Sequence, residues 1–214
     1  MFDVRGRMFD VATALPLLIY LTHDLLSSFA LAGNPVHLAD FQSGRFSLGR
    51  MKVLVFGNSG SGKSTYARAL AARECIPHLD LDAIVWEPGK IAVQRSTESV
   101  AASLQGFIDS HPAWVIEGCY GELVRAGSTQ CTLLVFLNPG IDACLANNLK
   151  RPWEPHKYAS LELQNNMLSQ LQEWVAGYYQ RKDAWSYRVH REIFDAFTGP
   201  TVEHRELGAY PEMQ

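Results

Sequence analysis

A three-layer α/β fold is expected, built on a mainly parallel five-stranded sheet with helices on both faces. Three observations predict it. Short apolar runs with few charges alternate along the chain with segments carrying apolar residues at helical spacing. A glycine-rich turn with a lysine and a serine at its end follows the first of these runs. The runs themselves are continuous rather than alternating, as strands covered on both faces are. Strands that alternate with helices imply parallel pairing through right-handed crossovers.

The elements follow in order. Residues 52–56 are rich in Val and read as a buried strand. A helix opens after the glycine-rich turn, over 64–73, and 78–81 is a second strand. A loop then runs through Trp86, Pro88 and Gly89. Ser96 is placed to cap a helix, with Glu98 in its first turn. Val100, Leu104, Phe107 and Ile108 form its apolar stripe, and Pro112 ends it. Residues 114–116 and 132–137 are the third and fourth strands. A helix over 142–150 is stopped by Pro152. A long amphipathic helix over 161–181 carries Met167, Leu168, Leu171, Val175 and Tyr178 on one face. Val189, Ile193, Phe194 and Phe197 mark a last helix. Gly199-Pro200 turns the chain into a fifth, edge strand over 201–207.

Composition narrows the classes. The chain has 214 residues, 47% hydrophobic and 19% charged, which describes an ordinary globular protein able to bury a full core. A formal net charge of -3 with mixed signs argues against a broad nucleic-acid surface. Cys75, Cys119, Cys131 and Cys144 form no CxxC pair and read as reduced thiols in or near the core, which suits the cytoplasm.

Residues 1–50 read differently. An apolar stretch over 11–21 follows Arg5 and Arg7 and precedes Ala30-Leu31-Ala32, which imitates a secretory signal. Asp10, His23 and Asp24 break the imitation, and the stretch is short of the ~20 residues a span requires. The segment is expected to be an N-terminal extension, either an over-extended start before Met51 or a poorly ordered tail. A small helical appendage and an export signal are the other readings. The domain is expected over 51–214.

The most specific motif is Gly57-Asn58-Ser59-Gly60-Ser61-Gly62-Lys63-Ser64, followed by Thr65. It fits GxxxxGK[ST] at every fixed position, with a strand before it and a helix after it. Glycines let the backbone curl so that several N–H groups converge into an anion nest. The helix N-terminus adds partial positive charge behind them. Lys63 reaches the β- and γ-phosphates, and the Ser64 hydroxyl suits Mg²⁺. The guanine-reading Asn-Lys-x-Asp signature is absent, which favours ATP as the nucleotide.

From Met51 to about residue 207 the chain resembles the adenylate kinase-like branch of P-loop proteins. That branch includes shikimate kinase, gluconate kinase and nucleoside monophosphate kinases, and the likeness extends to the bacterial topology modulation protein-like group. The resemblance rests on the phosphate loop, on Asp80-Leu81-Asp82 and on Ile116-Glu117-Gly118-Cys119-Tyr120. It implies that Asp80 lies near Mg²⁺ and that Asp82 binds the acceptor hydroxyl and accepts its proton. It implies that Glu117 stands where the family often has Asp, near Mg²⁺ or the acceptor, with Gly118 allowing close approach. Arg95 and Arg125 are candidates for holding an acidic acceptor. A lid is implied around 150–160, with Arg151 as its first cation and Lys150 and Lys157 next. Trp86 and Trp153 are candidates to flank the acceptor cleft; Trp174, Tyr178 and Tyr179 read as core, and His111, His190 and His204 as incidental. The Gly-Gly-Gly stretch of shikimate kinase and the Asp-Gly-Phe-Pro-Arg pattern of adenylate kinase are missing.

The implied activity is transfer of the γ-phosphoryl group of ATP to a small hydroxyl- or phosphate-bearing acceptor. A nucleotide and a small-molecule acceptor are then the expected partners, with no nucleic acid and no membrane. An ATP-binding or ATP-hydrolysing regulatory module without such an acceptor is the alternative.

Overall fold

The computed structural model describes residues 51–87, 93–153 and 160–208. The expected extension over 1–50, Pro88 and Gly89 of the first loop, and residues 154–159 of the expected lid lie outside them.

Five strands form one sheet: β1 (Lys52–Gly57), β2 (His78–Asp80), β3 (Trp114–Gly118), β4 (Leu133–Leu137) and β5 (Thr201–His204). Their order is β2-β3-β1-β4-β5, and every pair is parallel. Seven helices join them among the described residues: α1 (Lys63–Glu74), α2 (Asp82–Val85), α3 (Thr97–Ser110), α4 (Gly121–Ser128), α5 (Ile141–Leu149), α6 (Leu161–Ala176) and α7 (Tyr187–Ala196).

The order dictates the layers. The β1–α1–β2 crossover runs one way across the sheet, and every later crossover runs the other. Right-handed crossovers in opposite directions lie on opposite faces. One face therefore holds α1, against which Val53, Val55, Val115 and Val135 turn; all four are buried. The other face is covered by Val100, Leu104 and Ile108 of α3, Val124 of α4 and Ile193 of α7. These pack with Leu54, Phe56, Trp114, Ile116, Leu134 and Phe136 in one core cluster. Residues of β1, β3 and β4 thus alternate between two apolar layers, which explains their hydrophobic runs, while the edge strands β2 and β5 carry one apolar residue each.

Ser96 caps α3 as its position predicts, its hydroxyl accepting from the Ser99 N–H at 3.2 Å. Ser160 and Ser186 cap α6 and α7 in the same way. Helix α1 ends in a Schellman motif: Ile76 N–H reaches the Ala71 carbonyl at 3.0 Å and Cys75 N–H the Ala72 carbonyl at 3.3 Å. Cys75 fills the left-handed position at φ +52 and is exposed, so it is not a core thiol as expected. The four cysteines are free. Burial pushes the thiols of Cys119 and Cys131 up to about 12 and that of Cys144 to about 11. No described helix is long and apolar enough to cross a membrane.

Candidate functional site

The carboxyl ends of β1, β2 and β3 meet where the sheet order changes direction, the position at which open α/β sheets bind ligands. The strand β1 ends at Gly57, whose left-handed φ of +150 turns the chain away from Leu137 of β4. A Cβ at Gly57 would strike the Leu137 carbonyl. Gly60 at φ +78 and Gly62 at φ +92 curl the loop, and Gly62 is the N-cap of α1. The loop is thus a concave turn closed by a helix N-terminus. Ser61 N–H donates to the Asn58 carbonyl at 3.2 Å, and Ser59 N–H to Asn58 Oδ1 at 2.9 Å. Lys63 is 9% exposed, and its Nζ donates to the same Asn58 carbonyl at 2.8 Å. The Ser61 hydroxyl is buried with no protein partner. Thr65 is exposed on the first turn of α1.

Beside the loop lie three carboxylates. Asp80 ends β2 and is in register with Glu117 of β3. The Asp80 Oδ1 accepts from the Asp82 backbone N–H at 2.9 Å, a turn that starts α2 with Asp82 in its first position. Glu117 is 2% exposed, and its Oε1 has no protein partner. Burial first, then the charges of Asp80 and Asp82, holds the Glu117 carboxyl well above the usual carboxylate range. Lys63 and a hydrogen bond with Ser64 pull it partly back. Asp80, Asp82, Glu117, Lys63 and Ser64 therefore form one constellation.

Tyr120 fixes Asp82. Its hydroxyl donates to Asp82 Oδ1 at 2.5 Å and accepts from the Trp86 indole N–H at 2.8 Å. Burial, followed by the Asp82 charge, raises the phenol far above its ordinary value. Trp86 thus joins the cluster through Tyr120.

Other expected residues are employed differently. Arg95 brackets α2 to α3: Nη1 donates to the Ile84 carbonyl at 3.0 Å, and Nη2 to the Ser99 and Ser103 hydroxyls at 2.6 and 3.3 Å. Arg125 is exposed in the last turn of α4. The space beside Gly118 is filled by Leu81, since a Cβ there would lie 2.7 Å from a Leu81 methyl. Packing, not ligand approach, therefore excludes a side chain at Gly118. Arg151 is half-buried just beyond α5, with Lys150 exposed before it and Trp153 exposed after it.

Two residues gain roles that local sequence did not signal. Arg181 follows α6, with its guanidinium 3.7 Å from the Trp174 ring centroid and its Nη2 donating to the Trp185 carbonyl at 2.8 Å. Its Nη1 is buried without a hydrogen-bond partner. Trp185, whose carbonyl Arg181 holds, meets Tyr120 edge-on with 6.0 Å between ring centroids, which links this arginine to the Asp82 cluster. His190 is fully buried. Its Nε2 lies 2.9 Å from the Cys119 carbonyl, which only accepts, so the ring carries its proton there. Its Nδ1 then accepts from the Tyr178 hydroxyl at 2.6 Å. Burial pushes the imidazole down to about 4.

No family model matches the chain. It is 29% identical to the cytidylate kinases of Lactococcus lactis subsp. cremoris strains MG1363 and SK11, over 89 residues that make up 42% of its length. It spans 40% of the length of those curated relatives. Among solved structures it is similar to a gluconokinase from Sinorhizobium meliloti 1021, with a TM-score of 0.42 and 17% identity over 72% of this chain and 82% of that one. It is also similar to a shikimate kinase from Acinetobacter baumannii in complex with shikimate, with a TM-score of 0.34 and 17% identity over 68% of this chain and 93% of that one. The four proteins named here are kinases.

Proposed function

We propose that the chain is an ATP-dependent small-molecule kinase acting on a hydroxyl or phosphate acceptor. The observation that carries this reading is the meeting of the glycine-rich loop, Lys63 and Ser64 with Asp80, Asp82 and Glu117 at one end of the sheet. A nucleotide-binding module needs the loop and its lysine. It does not need a second carboxylate held at hydrogen-bonding distance by a buried tyrosine.

The phosphate chain of ATP fits the loop between residues 57 and 65, with its negative charge met by backbone N–H groups, the α1 N-terminus and Lys63. The orphaned Ser61 hydroxyl and Glu117 Oε1 are donor and acceptor groups that a bound ligand would satisfy. The donors near them are hard oxygens from Ser64, Asp80 and Glu117, a set that suits Mg²⁺ with phosphate oxygens and water as its other ligands. When bound, the ion supplies neutralising charge on the β- and γ-phosphate oxygens.

Asp82 orients the acceptor hydroxyl and takes its proton. The hydroxyl oxygen bonds to the γ-phosphorus, the bond from that phosphorus to the β–γ bridging oxygen breaks, and ADP leaves with the bond's electron pair. Lys63 and Arg151 stabilise the charge in transit. Arg181 joins Arg95 and Arg125 as a candidate cation for an anionic acceptor: its Nη1 is buried without a hydrogen-bond partner, while its Nε pairs with Asp183 at 3.6 Å and its Nη2 bonds the Trp185 carbonyl. The name of the cytidylate kinases keeps nucleoside monophosphates among the acceptors to be tried.

The test is ADP release by the full chain with Mg·ATP, run against shikimate, gluconate, nucleosides and nucleoside monophosphates. A rise with one acceptor that is lost in Asp82→Asn supports the reading. A flat panel with ATP still bound would favour a regulatory nucleotide-binding module.

A further inference from the structure

The phosphate loop is braced from outside. Asn147, near the end of α5, donates from Nδ2 to the Gly60 carbonyl at 2.8 Å. Asn148 beside it accepts from the Ser59 hydroxyl at 3.4 Å. The backbone of Gly60 is so close to α5 that a Cβ would strike the Cys144 carbonyl and the Asn148 amide. Asn148 is 2% exposed, with its Nδ2 lacking a protein partner. From α6, the Val175 carbonyl accepts from Asn58 Nδ2 at 3.1 Å.

A phosphate nest works only while its N–H groups face the ligand and its carbonyls face away. Gly60 is the weak point, because a glycine adopts either sign of φ at little cost and its peptides turn over easily. A Gly60 carbonyl turned inward would point its oxygen at a phosphate. The Asn147 amide removes that freedom by giving the carbonyl a donor on the outer side.

We propose that Asn147 is a positioning residue for phosphate binding, acting through the Gly60 carbonyl, so that α5 sets the affinity of the loop. The proposal rests on the reading of residues 57–64 as the nucleotide phosphate site.

The experiment is calorimetric titration of the full chain with Mg·ATP and with magnesium tripolyphosphate, for the wild type, Asn147→Ala and Asn147→Asp. Tripolyphosphate has no base or sugar, so it reports on the loop alone. Loss of one hydrogen bond should weaken both ligands about 5- to 10-fold in Asn147→Ala. Asn147→Asp keeps the size but turns an acceptor toward the carbonyl, and should weaken both further. Wild-type binding with unchanged affinities in both variants overturns the proposal, even if their melting temperatures fall, since that is all a purely structural contact would do. Failure of the wild type to bind either ligand overturns the phosphate-site reading itself and the proposal with it.

Discussion

Removing the titration of His190 should flatten part of the acid limb of stability. In the folded chain the imidazole is neutral, buried among Tyr178, Phe56 and Phe136, with Lys63 and Arg181 also disfavouring its cation. Its folded value is lowered from 6.5 to about 4. Below 6.5 the unfolded chain therefore binds a proton that the folded chain refuses. Stability from this group is full above that value and is lost as pH falls toward 4. At 1.36 kcal/mol per pH unit the whole interval amounts to about 3 kcal/mol. His190→Gln offers an amide N–H to the Cys119 carbonyl but does not titrate. Urea unfolding of both proteins at about pH 8, 6 and 4 isolates the group, because other titrations cancel in the difference. The wild type should lose about 3 kcal/mol relative to the variant across that range. Parallel curves would refute the assignment of His190 as a buried neutral ring.

Tyr120→Phe removes the donor that fixes Asp82 and leaves the Trp86 indole without its acceptor. Steady-state kinetics should show kcat reduced about 10- to 100-fold, as for loss of a hydrogen bond to a charged group, with KM for ATP unchanged. An unaltered kcat would detach Asp82 from the chemistry. Cys75→Gly relieves a side chain at φ +52 in the α1 cap. Thermal unfolding should shift upward by roughly 2–4 °C, since the left-handed conformation costs a non-glycine residue about 1 kcal/mol.

Strands β1, β3 and β4 are legible in the sequence because strands covered on both faces need apolar runs, whereas β2 and β5 carry one apolar residue each and β5 is marked instead by the Gly199-Pro200 turn before it. The phosphate loop was legible because its glycines meet a backbone requirement that no other residue meets. Helix α4 was not, because its buried residues are Gly121, Val124 and Gly127. Two glycines conceal a helix from propensity. Packing explains Gly121, where a Cβ would strike the Ala184 carbonyl 63 positions further along the chain, but not Gly127, where a Cβ would meet only Leu54 at 3.6 Å. The long helix stops at Ala176, short of the expected residue 181, and a turn follows in which the N–H groups of Gln180 and Arg181 reach the Gly177 carbonyl. The contact at Gly121 is one between distant segments. For the same reason Arg95 and Arg125 attracted attention as cations, while the arginine stacked on Trp174 did not. A guanidinium's availability is set by its neighbours in space.

The site carries more negative than positive charge, and this has a measurable consequence. Asp80 and Asp82 act on the buried Glu117, and Lys63 offsets them only in part. A carboxyl in that position retains a proton to higher pH than it would in water. Bringing Mg·ATP into the loop adds a divalent cation beside hard oxygens, which favours the ionised form, so binding should expel the proton that Glu117 holds. Calorimetric titration at about pH 7 in two buffers of different ionisation enthalpy counts the protons released. The wild type should release a fraction of one proton, more at slightly lower pH, where Glu117 is more fully protonated. Glu117→Gln should release none, and its nucleotide-free form should be the more stable protein at about pH 8, because it buries an amide instead of a charge. Equal proton counts in the two proteins would mean that Glu117 does not change its protonation on binding, which refutes the coupling between the ligand and this carboxyl.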